Sequence, residues 1–229
     1  MNTPRSIDKI IEEQVRRWEQ SRRQAAADSR REPVITVSRL PGCYGRTLSR
    51  ELARRLKFDT FDKELLQKVA ESSHLSETIL KTVDEKNLSA VEEWVKSLFL
   101  ERYLCGEYFH HLSKVLMAIA EHGRAVILGR GAGLILPPQS CLRVLLTAPL
   151  EERVRVVAAR ERMPRDEAKR RVVQDESDRR AFIRRHFHTD MLDASHYDVV
   201  VNTASLGQEA ALAAIKAAWD GKWKEAPDA

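Results

Sequence analysis

Cysteine is scarce. Cys43, Cys105 and Cys141 are odd in number and none sits in a Cys-x-x-Cys pair, which argues against a disulfide framework or a zinc site and leaves free thiols. No apolar run approaches the ~18 to 20 residues of a membrane helix, and the N-terminus lacks the apolar core of a signal peptide. The expectation is a cytoplasmic protein with no membrane partner. No catalytic triad and no metal-ligand cluster stand out. Nor does one sign of charge dominate: 39 basic residues face 34 acidic ones for a net charge of +5. Much of that excess lies between Glu151 and His188, with 12 arginines and lysines against 8 acids. A long basic stripe interleaved with aromatics is missing, so an anionic small ligand suits the charge at least as well as nucleic acid does.

What is present suffices for one sizeable core and a small appended lobe: 229 residues, 43% of them hydrophobic. The most informative stretch runs from Val34 to Thr47. A buried-type strand leads into a turn containing Gly42 and Gly45, and a basic residue then opens a helix. Glycines let successive N–H groups point into one concavity, and the helix adds the positive end of its dipole. Against the P-loop pattern G-x-x-x-x-G-K-[ST], Gly45 and Thr47 fit, Arg46 stands for lysine and Leu40 replaces the first glycine. Gly42, Cys43, Tyr44, Gly45, Arg46 and Thr47 are therefore the candidate phosphate cradle. An ordinary strand-to-helix turn is the competing reading.

Before that strand, Ile7, Ile10, Ile11, Val15 and Trp18 recur at helical spacing, and Pro33 marks the end of an N-terminal extension, 1–32. This amphipathic helix is expected to pack on the domain or on a second copy of the chain, giving a homodimer. After the cradle, Leu48, Leu52 and Leu56 share a helix face, and a short strand from Phe58 to Phe61 precedes Asp62-Lys-Glu64. Asp62 stands where α/β proteins assemble sites, and equally where a helix cap belongs. A helical lobe follows, about 63–122, with Ser89-Ala-Val-Glu92 read as a capping box at a helix start. His110 and His111 lack ligand spacing and are read as core or surface residues.

Ala125 to Gly133 repeats the strand-and-glycine design, with Arg130 at the strand's carboxyl end; Leu142–Ala148 and Asp198–Thr203 read as further buried strands. Strands alternating with helices imply a parallel sheet. The arginine-dense segment around 160–190, with Phe182 and Phe187 among its charges, reads as a lid carrying guanidinium groups or as a solvated helix face.

Ser38-Arg39-x-x-Gly42-x-x-Gly45-Arg46, Phe61-Asp62-Lys-Glu64, Gly129-Arg130-Gly-Ala132, Asp178-Arg179 and Tyr197-Asp198-x-x-x-Asn-Thr203 occur in one order. Together they resemble the cytidylate kinase-like family from about Val34 to Trp219. The resemblance implies a P-loop nucleoside monophosphate kinase fold: an α/β three-layer sandwich with a parallel sheet of about five strands, a helical acceptor lobe and an arginine-rich lid, spanning 33–221 and followed by a disordered tail, 222–229. It implies ATP and Mg²⁺, the donor phosphates lying on Gly42 to Thr47 and Thr47 standing as the metal-reaching hydroxyl. Arg130 would grip the acceptor phosphate beside Asp62, Asp178 would read its base, and Arg179, Arg180 and Arg184 would be lid arginines. With Arg46, the arginines Arg130, Arg179 and Arg184 form the implied catalytic set. Two positions depart from cytidylate kinases: Arg46 replaces the P-loop lysine and Gly131 an aspartate. The expected activity is transfer of the ATP γ-phosphate to CMP, dCMP or a related monophosphate. A nucleotide-binding regulator without turnover, or a basic nucleic-acid-binding protein, are the alternatives.

Overall fold

Val34, Ile35 and Val37, like Ala125 to Leu128, are buried along their whole length, as strands must be when helices cover both faces of a sheet. In the computed structural model, which describes residues 7–24, 33–83, 85–102 and 106–224, these runs are the two central strands. The order is α1 (Ile7–Gln24), β1 (Val34–Arg39), α2 (Gly45–Leu56), β2 (Asp59–Phe61), α3 (Lys63–Glu71), α4 (Ser73–Leu80), α5 (Glu85–Arg102) and α6 (Glu107–His122). Then come β3 (Ala125–Leu128), α7 (Ala132–Ile135), β4 (Cys141–Thr147), α8 (Leu150–Glu161), α9 (Arg165–Phe187), β5 (Val199–Asn202) and α10 (Thr203–Lys224), kinked at Gly207. The sheet is five-stranded, in the order β2-β3-β1-β4-β5, and every pairing is parallel. All carboxyl ends therefore share one edge, where Arg39, Asp62 and the turn at Arg130 meet.

Three expectations are corrected. Ser89 to Glu92 is not a helix start, because α5 already runs from Glu85; Val91, Val95 and Leu98 are buried on its inward face, and that stripe governs the helix rather than the local capping pattern. The tail does not begin at 222, because α10 continues to Lys224. There Lys222 Nζ is fixed by Asp198 Oδ2 at 2.7 Å and the carbonyls of Cys141 and Pro138 at 2.8 and 3.0 Å. Residues 225–229 and Cys105 lie outside the described residues. The strand read as Phe58–Phe61 starts at Asp59, since Lys57 takes a left-handed C-cap conformation.

α1 spends its apolar stripe on the domain itself. Ile11 and Trp18 are buried, Trp18 stacks on His122 at 4.1 Å, and Gln14 and Arg17 bond the Asp59 carboxylate at 2.6 and 2.9 Å. Asp59 opens the edge strand β2, so α1 closes the exposed side of the sheet. No described helix is long and apolar enough to cross a membrane.

Candidate active site

The turn of the candidate cradle rests on two left-handed residues. Gly42 (φ 85°) turns the chain left-handed, and a Cβ there would stand 2.5 Å from the Arg153 carbonyl oxygen, so only glycine fits. Tyr44 (φ 54°) is also left-handed and precedes α2 without a side-chain cap. The amides of the first turn of α2 are thus left open to an anion. Cys43 is buried in the turn, and burial pushes its thiol up to about 11. Gly45 begins α2 because of Arg39: a Cβ on Gly45 would lie 2.7 Å from Arg39 Cγ. The Thr47 hydroxyl is exposed at the open end and makes no hydrogen bond among the described residues.

A second wall comes from the turn after β3. Gly129, Arg130 and Gly131 have φ of 86°, 55° and 68°, three left-handed residues in a row, of which Arg130 bears that conformation at a cost. Its guanidinium donates to Gln67 Oε1 and lies 5.8 Å from the Phe182 ring centre. Gly131 is packed against the end of α9, where a Cβ would meet the Phe187 ring at 2.5 Å. A larger side chain at this position has no room beside that ring.

Helix α9 forms the third wall, and its phase sorts the arginines. Ile183 and Phe187 are buried, which turns Asp175, Asp178, Arg179 and Phe182 into a cavity of about 270 Å³ shared with Arg39, Lys63 and Arg130. Arg180 and Arg184 instead face α8 across a separate hollow. Arg180 pairs with Asp190 at 2.8 Å. Asp178 is on the cavity side, exposed and bonded by Gln174 at 2.7 Å. Arg153, on α8, is buried under the cradle, donating to the Ala148 carbonyl at 3.0 Å and pairing with Glu176 at 2.9 Å.

Asp62 caps α3 by accepting from Leu65 N at 3.1 Å, lies 3.7 Å from Arg46 and is not among the residues that line the cavity. Arg46 itself is turned toward α3, pairing with Glu64 at 2.5 Å. Its charge is not in the cavity. Sequence reasoning assigns no role to Arg39 or Lys63, which line the cavity, or to Gln67, which accepts from Arg130; Arg39 is visible there only as a basic residue ending β1. Burial, then the neighbouring Arg179, Arg46 and Arg130, pull the Arg39 guanidinium down to about 10 against the pull of Glu64. Burial, with Arg130 and Arg179, likewise lowers Lys63. Tyr197 and Asp198 are structural: Asp198 pairs with Arg143 at 2.9 Å at the amino end of the strands.

The cavity therefore holds Arg39, Lys63, Arg130 and Arg179 against Asp175 and Asp178, beside a cradle of open amides. Comparison with known proteins gives the family. The model of the Cytidylate kinase-like family matches residues 34–205. A protein named cytidylate kinase from Ignicoccus hospitalis is 28% identical over 184 residues, covering 80% of this chain and 96% of its own. Its namesake from Thermococcus sibiricus is 30% identical over 204 residues, covering 84% and 90%. A crystal structure of an uncharacterized protein from Eubacterium ventriosum aligns with a TM-score of 0.58 at 17% identity, covering 83% of this chain and 99% of its own; that likeness speaks for the fold alone. The family match opens on the first residue of β1 and ends in the first turn of α10, taking in the cradle, the Arg130 turn and the lid, and the chain belongs to the cytidylate kinase-like family.

Proposed function

We propose that this protein transfers the γ-phosphoryl group of ATP to a nucleoside monophosphate, with CMP or dCMP first among acceptors. One observation carries the reading. The guanidiniums that line the cavity are not paired with acids: Arg130 is positioned by the Gln67 amide oxygen, Arg179 by the Arg39 carbonyl at 3.0 Å, and Arg39 makes no ion pair among the described residues. Arginines facing elsewhere are paired, as with Arg17–Asp59, Arg143–Asp198 and Arg180–Asp190. Neutral partners fix a guanidinium while leaving its charge for a ligand. The two relatives named cytidylate kinase support the choice of acceptor.

In this reading the amides from Gly42 to Thr47 hold the donor phosphates, and the hollow between Tyr44, Thr203 and Gln208 receives the donor nucleoside. Arg130 and Arg179 grip the acceptor phosphate, with Asp178 and Phe182 facing its base. An oxygen of the acceptor phosphate bonds to the γ-phosphorus as the bond to the β,γ-bridging oxygen breaks, and ADP leaves with that electron pair. No proton is abstracted from the phosphate dianion, so positioning and charge neutralisation suffice. Mg²⁺ fits this site: it is a hard cation that keeps water and phosphate ligands, and the Thr47 hydroxyl is the unpartnered oxygen at the cradle's open end. When bound it neutralises phosphate charge. Purified protein with ATP, Mg²⁺ and a panel of monophosphates tests the reading, with ADP formation dependent on CMP or dCMP as the expected result. ADP formation with none of the panel would sink it, and ATP binding without turnover would leave a nucleotide-binding regulator.

A further inference from the structure

A phosphate cradle whose one cation points elsewhere lacks the charge that phosphoryl transfer requires. Arg46 has a side chain 53% exposed and pairs with Glu64 at 2.5 Å, so its charge is committed to the start of α3. We propose that Arg39 is the cation that contacts the transferred phosphoryl group, bridging the cradle and the acceptor arginine; the proposal rests on the kinase reading above. Arg39 closes β1 and leads straight into the cradle. Two glycines from distant parts of the chain make a slot for it. A Cβ on Gly45 would lie 2.7 Å from its Cγ, and a Cβ on Gly129 would lie 2.4 Å from its Nη1. Gly45 opens α2 and Gly129 opens the Arg130 turn, so the Arg39 stem lies against one wall and its guanidinium against the other. Its carbonyl accepts from Arg179 Nη1 at 3.0 Å, which ties the same residue to the lid.

Nothing in the fold uses the charge so placed. The guanidinium carries five N–H donors, yet it makes no hydrogen bond or ion pair among the described residues while it lines the cavity with Arg130 and Arg179. The crowding is unfavourable without an anion, in keeping with the lowered proton affinity of Arg39. During transfer, negative charge spreads over the equatorial oxygens of the moving phosphoryl group, and a planar fork held between donor and acceptor phosphates meets those oxygens. Arg39 adds no bond-making step and moves no proton.

The test compares Arg39→Met, Arg39→Lys, Arg46→Met and Gly129→Ala by turnover with ATP, Mg²⁺ and CMP, by ATP and CMP titration calorimetry, and by melting temperature. Arg39→Met should lose about 100-fold or more in kcat/KM while its ligand-free melting temperature holds or rises, because an unpaired cation has left a cationic cluster. A purely structural arginine would lower both. Arg39→Lys should recover part of the rate, and Arg46→Met should lose less than about tenfold. Gly129→Ala keeps Arg39 but displaces its guanidinium, and should lose activity in the same direction; it decides the matter if Arg39→Met does not fold. Parent-like turnover in Arg39→Met or Gly129→Ala overturns the role of Arg39 and leaves the kinase reading standing. A parent protein that binds neither ATP nor CMP and transfers nothing removes both.

Discussion

Gly131→Ala is the sharpest probe of how α9 is coupled to the Arg130 turn. Gly131 has φ 68°, and a Cβ there would stand 2.5 Å from Phe187 Cζ and 2.6 Å from Cε2. The left-handed backbone costs an L-residue about 1–2 kcal/mol, and forcing a methyl into a packed ring adds about 1–3 kcal/mol. Phe187 is only 6% exposed, so the ring has no easy retreat. A loss of about 3 kcal/mol is expected, roughly 6–12 °C in melting temperature for a chain of this size. Phe187→Ala should itself cost about 3–5 kcal/mol. In that background the steric part disappears, so Gly131→Ala should then cost only its backbone share. Urea unfolding of the parent, both single variants and the double variant gives a coupling of about 1–3 kcal/mol, with the double variant more stable than additivity predicts. Additivity within about 0.5 kcal/mol would mean that the ring yields freely and that the contact does not fix the lid against the Arg130 turn.

Arg130→Lys keeps a charge but loses the fork and the reach to Gln67; saturation by the monophosphate should weaken by about 1–3 kcal/mol at nearly unchanged ATP affinity. The opposite pattern in calorimetry would reverse the two halves of the site. At the other end of the sheet, burial alone would raise the Asp198 carboxyl, but bonds from Arg143 and Lys222 hold it down to about 2. Its folded value is below the unfolded one, so its contribution to stability is full above about pH 5 and is lost as pH falls through about 4 toward 2. Urea unfolding across that window should lose stability faster in the parent than in Asp198→Asn, and parallel curves would remove the assignment.

The strands and the glycine turns after them were legible because the signals were local. Val34 to Val37 is apolar but for Thr36 and Ala125 to Leu128 is apolar throughout, and a glycine turn follows each strand; a parallel sheet needs little more. The phase of α9 was not legible. Arg179, Arg180 and Arg184 all stand on a helix with charges on every side, and about 100° of rotation per residue decides which of them enters the cavity. Ala168 and Val172 packing on α8, with Ile183 and Phe187 in the main core, set that phase through tertiary contacts. Arg153 is placed by contacts of the same kind: it is one arginine among many in sequence, yet the carbonyl of Ala148 and Glu176 draw it under the cradle. The slot for Arg39 is longer-range still, since Gly45 and Gly129 each look like a turn glycine until the two walls meet.

The placement of these arginines bears on how the cavity would meet an anion. Arg179 reaches the cavity only through α9, and what holds it there is one bond to the Arg39 carbonyl; burial lowers its proton affinity, with Arg160 and Arg153 adding repulsion that Asp175 and Cys43 partly offset. Without a ligand Arg179 stands in the cavity with Arg39 and Arg130, like charges that repel one another in a partly buried space. A phosphate between them reverses the sign, because each guanidinium then faces an anion in the same low-dielectric space. The aromatic contacts at the end of α9, Phe182 and His186 on Phe109 and Phe187 against Gly131, are indifferent to that charge and anchor one end of the helix. The two ends of the cavity-facing stretch of α9 thus answer to different forces, aromatic packing at Phe182 to Phe187 and the charge of a bound anion at Arg179.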